Sequence, residues 1–169
     1  MSISEEQKKE LEEIYQSLLN NDKVKRMLGI PMHRGSNCYI HSFIVTKLAM
    51  RRAIKKKNIN LIALLYACVF HDYYLYDWRK DRSKLKGHGK NHPSIAVENA
   101  KKDFDIPDLS VDIIKSHMWP INFRLFPKTK EARLLTFADK RVATREALIS
   151  KKHKLRNRNK YLEFISKLF

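Results

Sequence analysis

Five polar residues stand where a simple core would place Leu or Ala: His41, His71, Asp72, His117 and Asp139. Burying such groups costs stability unless each is paired or ligated. One histidine on an apolar helix face is more often a hydrogen-bonded core residue than a ligand, so the weight rests on the set. The adjacent pair His71-Asp72 offers an imidazole nitrogen and a carboxylate within one turn, and the two carboxylate oxygens can bridge two cations. Donors of this mixed kind, without thiolate, suit Mn, Fe, Co or Ni better than a structural zinc site. The chemistry on offer is a hydrated metal centre with water at its open positions.

Helices must position these groups. Ser2 and Glu5 are spaced as a capping box for a first helix from Glu5 to about Leu19, with Leu11, Ile14, Tyr15, Leu18 and Leu19 on one stripe. Gly29-Ile30-Pro31 interrupts regular structure, and a loop with His33, Arg34 and Gly35 leads into a helix from about Tyr39 to Lys57. There His41, Val45, Leu48 and Arg52 recur at helical spacing, so His41 faces inward. The segment INLIALLYACVFHDYYL is apolar nearly all round and reads as the central buried helix, with His71-Asp72 at its C-terminal end.

The polar stretch from Asp77 to Asn91 has the length of a functional loop or lid. His92 and Pro93 open the next helix, because Pro suits the first helical position. Leu109, Ile113 and His117 share a face of a helix ending at Met118. A long helix from about Thr129 to Ile149 carries Leu135, Asp139 and Val142 on one side, and an amphipathic helix spans Tyr161 to Phe169. No period-two alternation is bounded by turn signals. The fold class is all-α, one domain over 1–169 with a core at 33–146 and a basic segment plus terminal helix at 147–169.

The ordered set resembles the HD superfamily of metal-dependent phosphohydrolases, whose signature runs His, then His-Asp, then a distant Asp. It reads here as His41 in YIHSFIV, His71-Asp72 in VFHDYYLYDW and Asp139 in TFADKRVATRE. His92 in NHPSIAVENA and His117 in IIKSHMWP occupy the places where the two-metal subgroup adds two histidines. The resemblance implies an HD-type helical bundle in which His41, His71, Asp72 and Asp139 bind one divalent transition metal. His92 and His117 would bind a second, bridged by Asp72, with Fe or Mn ahead of Co, Ni or Zn. Metals so held lower the pKa of bound water and offset charge growing on phosphate oxygens, so the implied activity is hydrolysis of a phosphoester or phosphoanhydride in a nucleotide or other small phosphorylated compound.

Asp72 and Lys140 are the candidate catalytic residues, Lys140 because it follows Asp139 and offers a point charge to phosphate. Arg34 and Arg145 are candidate substrate contacts through their planar guanidinium forks. His88 is a substrate-contact candidate in a polar loop, with a surface position as its plainer reading, which His33 and His153 share. Asp77 is a candidate proton acceptor for the attacking water. Tyr73, Tyr74, Tyr76, Trp78 and Trp119 can stack a nucleobase, although aromatics beside a buried helix more often pack the core or its rim.

Composition sets the remaining bounds. The chain has 169 residues, 43% hydrophobic and 31% charged, with four Gly and five Pro, which favours an ordered helical globule. Cys38 and Cys68 sit in apolar segments and read as free thiols of a reducing cytoplasm. The acidic, amphipathic N-terminus lacks the features of a signal peptide, and Leu61 to Phe70 is too short to cross a bilayer, so no membrane partner is expected. A net charge of +17 attracts polyanions over long range. The alternatives are therefore a nucleic-acid-binding protein using a basic surface such as KKHKLRNRNK at 151–160, or a di-iron oxygenase on the same ligand set. Oligomeric state is not encoded in any of these signals.

Overall fold

Local signals in the sequence set most of the helix boundaries in the computed structural model, which describes residues 3–32, 36–80, 87–149 and 158–169. Helix α1 covers Glu5–Asn20, and its capping box is built by Ser4 and Gln7, two residues beyond the expected Ser2 and Glu5. Two S-x-x-(E/Q) patterns overlap here, and the serine directly before the first helical residue takes the role. A short helix α2, Asp22–Lys25, runs into a 3₁₀ turn at Arg26–Gly29. The loop that follows is closed by an isolated bridge between Pro31 and Asn37, with Met32 N donating to Ser36 O.

Asn37 caps α3, Cys38–Ala53, by accepting from Ile40 N at 2.9 Å. This helix stops four residues short of the expected Lys57. Beyond Ala53 the chain carries consecutive lysines at 55–57 and turns through Asn58 at φ 57°, a left-handed conformation that ends a helix. Asn60 caps α4, Leu61–Phe70, whose residues are mostly buried, as its all-round apolar surface requires. The helix ends one residue before His71, in a turn that closes at Leu75 with φ 54°.

Helix α5, His88–Asp103, begins four residues earlier than expected, so Pro93 lies inside it rather than at its start. Gly87, at φ 90°, makes the entry. There α5 forgoes one backbone hydrogen bond at Pro93. Helix α6 spans Asp108–Ser116, and α7 spans Lys130–Leu148, capped by the Thr129 side chain accepting from Ala132 N. Helix α8, Arg158–Ile165, starts before and ends before the expected 161–169.

Packing centres on α3, which lies against α4 and α7, while α6 covers α4 and meets α5 and α7. Phe43, Leu64, Leu65, Phe70, Ile113, Ile114 and Leu135 fill the interior. The two ends of the chain meet: Tyr15 Oη donates to Ile165 O at 2.7 Å, Gln16 Nε2 to Ser166 O at 2.6 Å, and Lys47 Nζ to Lys167 O. Among the described residues the architecture is helical with no strand, and no helix is long and apolar enough to cross a membrane. Both cysteines are free and buried, and Cys38 Sγ contacts the Tyr74 hydroxyl at 3.2 Å.

Candidate metal centre

Five helices converge on one buried cluster. Helix α3 supplies His41 from its first turn, the end of α4 supplies His71 and Asp72, α5 supplies His92, the end of α6 supplies His117, and α7 supplies Asp139. All are buried, Asp139 being the most open at 9%. They fall into two groups able to hold a metal ion: His41, His71 and Asp139, and beside them Asp72, His92 and His117. All six residues expected as ligands are thus brought together.

Asp72 lies between the groups and turns one oxygen to each. Its Oδ2 is 3.3 Å from His71 Nε2 and 3.8 Å from His41 Nε2. Its Oδ1 is 3.2 Å from His92 Nε2 and 4.0 Å from His117 Nε2. Asp139 Oδ1 is 3.1 Å from His41 Nε2 and 3.7 Å from His71 Nε2.

The tautomers follow from the other ring nitrogens. His71 Nδ1 donates to Cys68 O at 2.8 Å, His117 Nδ1 to Ile114 O at 2.7 Å, and His92 Nδ1 to His88 O at 2.9 Å. A backbone carbonyl only accepts, so each Nδ1 carries a proton, and in the neutral ring, the form that ligates, each Nε2 presents a lone pair. The Nε2 atoms of His92 and His117 face each other at 3.0 Å. With both rings in the ligating form, two lone pairs at that distance repel, and a shared cation relieves the repulsion. His71 Nε2 is buried without a hydrogen-bond partner, within ion-pair reach of both aspartates but aligned with neither. An orphaned acceptor of this kind, beside two carboxylates, fits a bound metal.

The electrostatics agree. Burial pushes the imidazoles toward the neutral form, but at His71 the Asp72 and Asp139 carboxylates override it and lift the pKa to about 9. At His41 the same contest is won by Glu146 and Asp139, and the pKa rises well above the ordinary value. Burial works against the charged forms of Asp72 and Asp139 too, yet the histidines hold both carboxyls well below the usual range. His117 goes the other way, pushed down to about 3 by burial and by His92 and His71. The first group is built to hold positive charge, and the second keeps His117 neutral, the form that ligates.

One member was not anticipated. Glu146 accepts from His41 Nδ1 at 3.0 Å through Oε2 and from Ser36 Oγ at 2.8 Å through Oε1. It fixes the tautomer of His41 as the backbone carbonyls fix those of the other three. Its signal was available: Glu146 lies seven residues after Asp139, two turns along the same face of α7.

The remaining candidates divide. Lys140 is half-buried, donates to His117 O at 3.2 Å, and has its pKa lowered by burial against the pull of Asp139. His88 is half-buried, which corrects the surface reading: its ring stacks on Trp78 and on His92, receives the Tyr76 hydroxyl at 2.9 Å, and is pushed down to about 4 by burial and His92. Asp77 accepts from Arg79 N at 3.1 Å and faces the Arg79 guanidinium at 3.9 Å, and it is not a member of either group able to hold a metal ion. Arg145 is exposed on α7, next to the buried Glu146. Arg34 and His33, with most of 77–91's central stretch (81–86) and the segment 150–157 that includes His153, lie outside the described residues. Tyr73 and Tyr74 are core residues, as the plainer reading had it.

No curated protein and no solved structure significantly matches the chain. The family model of the HD domain matches residues 38–144, a span that holds all six converging residues and ends two residues before Glu146. With a match over more than half its length, the chain belongs to the HD domain family, a superfamily of metal-dependent hydrolases.

Proposed function

We propose that this protein is a phosphohydrolase that uses one or two divalent metal ions to cleave a phosphoester or phosphoanhydride bond in a nucleotide or another small phosphorylated compound. The observation that carries the reading is Asp72, whose two carboxylate oxygens address two separate histidine groups. His41, His71 and Asp139 would hold one ion with Asp72 Oδ2, and His92 and His117 would hold another with Asp72 Oδ1. Ions at such sites supply a water of lowered pKa and offset charge on phosphate oxygens.

The chain's own groups do the rest. The Nδ1 hydrogen bonds keep each Nε2 aimed at the ligand position, so little reorganisation is needed on binding. Lys140, tied to the His117 carbonyl at the edge of the cluster, places an ammonium where a phosphate oxygen can meet it. His88 and Trp78, stacked beside His92, form an aromatic wall suited to the flat part of a substrate.

The test is phosphate release from nucleoside mono-, di- and triphosphates, dinucleoside polyphosphates and an artificial phosphodiester, with Mn, Fe, Co or Ni added in turn. Elemental mass spectrometry of protein purified without chelator accompanies it. Release by the parent and not by Asp72→Ala supports the proposal. Absence of release from every substrate, together with oxygen uptake by an iron-loaded sample, transfers the ligand set to the oxygenase reading.

A further inference from the structure

Carboxylates on α1, Glu5 and Glu13, are paired with its own Lys8 and Lys9, whereas the turn after α3 and the start of α7 form a surface groove of about 490 Å³ lined by Lys56, Lys57, Lys130, Arg133 and Leu134. All four cations are exposed, and among the described residues none of them forms an ion pair. The neighbouring acid, Glu131, is buried and accepts from Asn60 N at 2.7 Å. Four uncompensated cations around one concavity cost stability through mutual repulsion, and an anion spanning them removes that cost.

Two aromatic rings flank the cations. Phe137, 47% exposed, lies under the Arg52 guanidinium at 4.1 Å, and Phe126, 48% exposed, lies near that of Arg133 at 5.9 Å. Arg133 is also held to the Pro127 carbonyl at 3.2 Å. Both rings are thus about half exposed, Phe126 beside Arg133 and Phe137 one helical turn beyond Arg133 with Arg52 on one face. Phosphates that alternate with planar groups match this alternation, and a duplex would hide its planar groups from the rings. The groove is separate from the metal centre: Asp139 is nine residues, or about 14 Å, along α7 from Lys130, and His41 is about 18 Å along α3 from Ala53.

We infer that the groove of Lys56, Lys57, Lys130 and Arg133, with Phe126 and Phe137, binds single-stranded nucleic acid through its phosphates and unpaired bases. The cations bind the backbone and the rings stack successive bases. This site does not depend on the reaction run at the metal centre, and it is distinct from the basic segment 151–160.

The experiment is fluorescence anisotropy of a labelled oligothymidylate of about twelve nucleotides, within the span of known single-strand sites, titrated with the full-length protein across a salt series. The comparison variants are Lys56→Glu/Lys57→Glu/Lys130→Glu and Phe137→Ala, each checked for an unchanged melting temperature and unchanged metal content. The triple variant should bind at least tenfold more weakly. Its plot of log K against log salt should flatten by about 2, three contacts at about 0.7 each on a single strand. Phe137→Ala should bind about 5- to 100-fold more weakly, and a duplex of equal length should bind worse than the single strand. Parental affinity in the triple variant overturns the inference and assigns binding to the basic tail. Equal affinity for duplex with no effect of Phe137→Ala, or tighter binding to anionic lipid vesicles or inorganic polyphosphate than to the oligonucleotide, overturns it as well.

Discussion

Glu146 offers the sharpest test of how the metal centre is held in shape. Its carboxylate receives His41 Nδ1–H at 3.0 Å in a fully buried setting and the Ser36 hydroxyl at 2.8 Å. A hydrogen bond to a charged group contributes about 1.5–3 kcal/mol, and removal of a partner that orients a ligating histidine weakens metal binding about 10- to 100-fold. The two figures agree, since 10- to 100-fold corresponds to about 1.4–2.8 kcal/mol. Glu146→Ala should therefore lose 10- to 100-fold in affinity for Mn, and it should melt lower without metal because a buried N–H is left without its acceptor. Glu146→Gln should fare better: the amide oxygen can still accept from His41 while the amide N–H₂ donates to Ser36, so only the charge is lost. Competition against a fluorescent chelator gives the affinity, and calorimetry of the metal-free proteins gives the stability. An alanine variant within twofold of the parent, alongside an Asp139→Ala control that does lose metal, would refute the reasoning.

Other outcomes follow from the same geometry. Because the cluster binds metal only when folded, Mn at about one hundred times its Kd should stabilise the protein by about 2.7 kcal/mol, seen as a raised melting temperature that Asp72→Ala abolishes. Leu135→Ala, at a fully buried position in the middle of α7, should cost about 2–5 kcal/mol by chemical denaturation. Asp103 is a case where burial favours the neutral acid, but the Tyr73 hydroxyl at 2.9 Å and the Lys23 and Arg26 cations hold the carboxyl below its ordinary value. A carboxyl depressed on folding stabilises above its unfolded pKa of about 3.9 and loses that contribution as pH falls through the lower folded value. The stability gap between the parent and Asp103→Asn should accordingly be open at pH 7 and close below pH 4, and a gap independent of pH would count against the arrangement.

Five of the six converging residues were legible in the sequence because each combined a polar type with an apolar-face or helix-terminal position, and His92 joined them only because the order of the set matched a known signature. Helix α4 was equally plain, since only a central helix can be apolar all round. Glu146 escaped because a glutamate on a charged helix reads as solvated until something shows which face is covered. The start of α5 was misplaced because Pro93 satisfies the rule for a first helical residue, while Gly87 makes the actual entry. The half-buried position of His88 was hidden for a related reason, since a polar loop in sequence became the first turn of a helix in space. The closure of the chain ends, through Tyr15, Gln16 and the backbone at 165–168, rests on pairing distant segments, for which periodicity carries no signal.

The terminal placement of two of the histidines has a consequence for mutagenesis. His71 and His117 are the C-cap residues of α4 and α6, and each donates through Nδ1 to a carbonyl in the last turn of its own helix, Ile114 O also taking the backbone N–H of His117. The bond to its own helix end thus leaves Nε2 as the nitrogen that faces inward at both positions, and both partners of that bond lie within one segment. Alanine at either position deletes a ligand and uncaps a helix in one stroke. Loss of activity in such a variant will mix coordination with fraying, and the two can be separated at His92, whose bond to His88 O lies in the first turns of α5 and caps nothing.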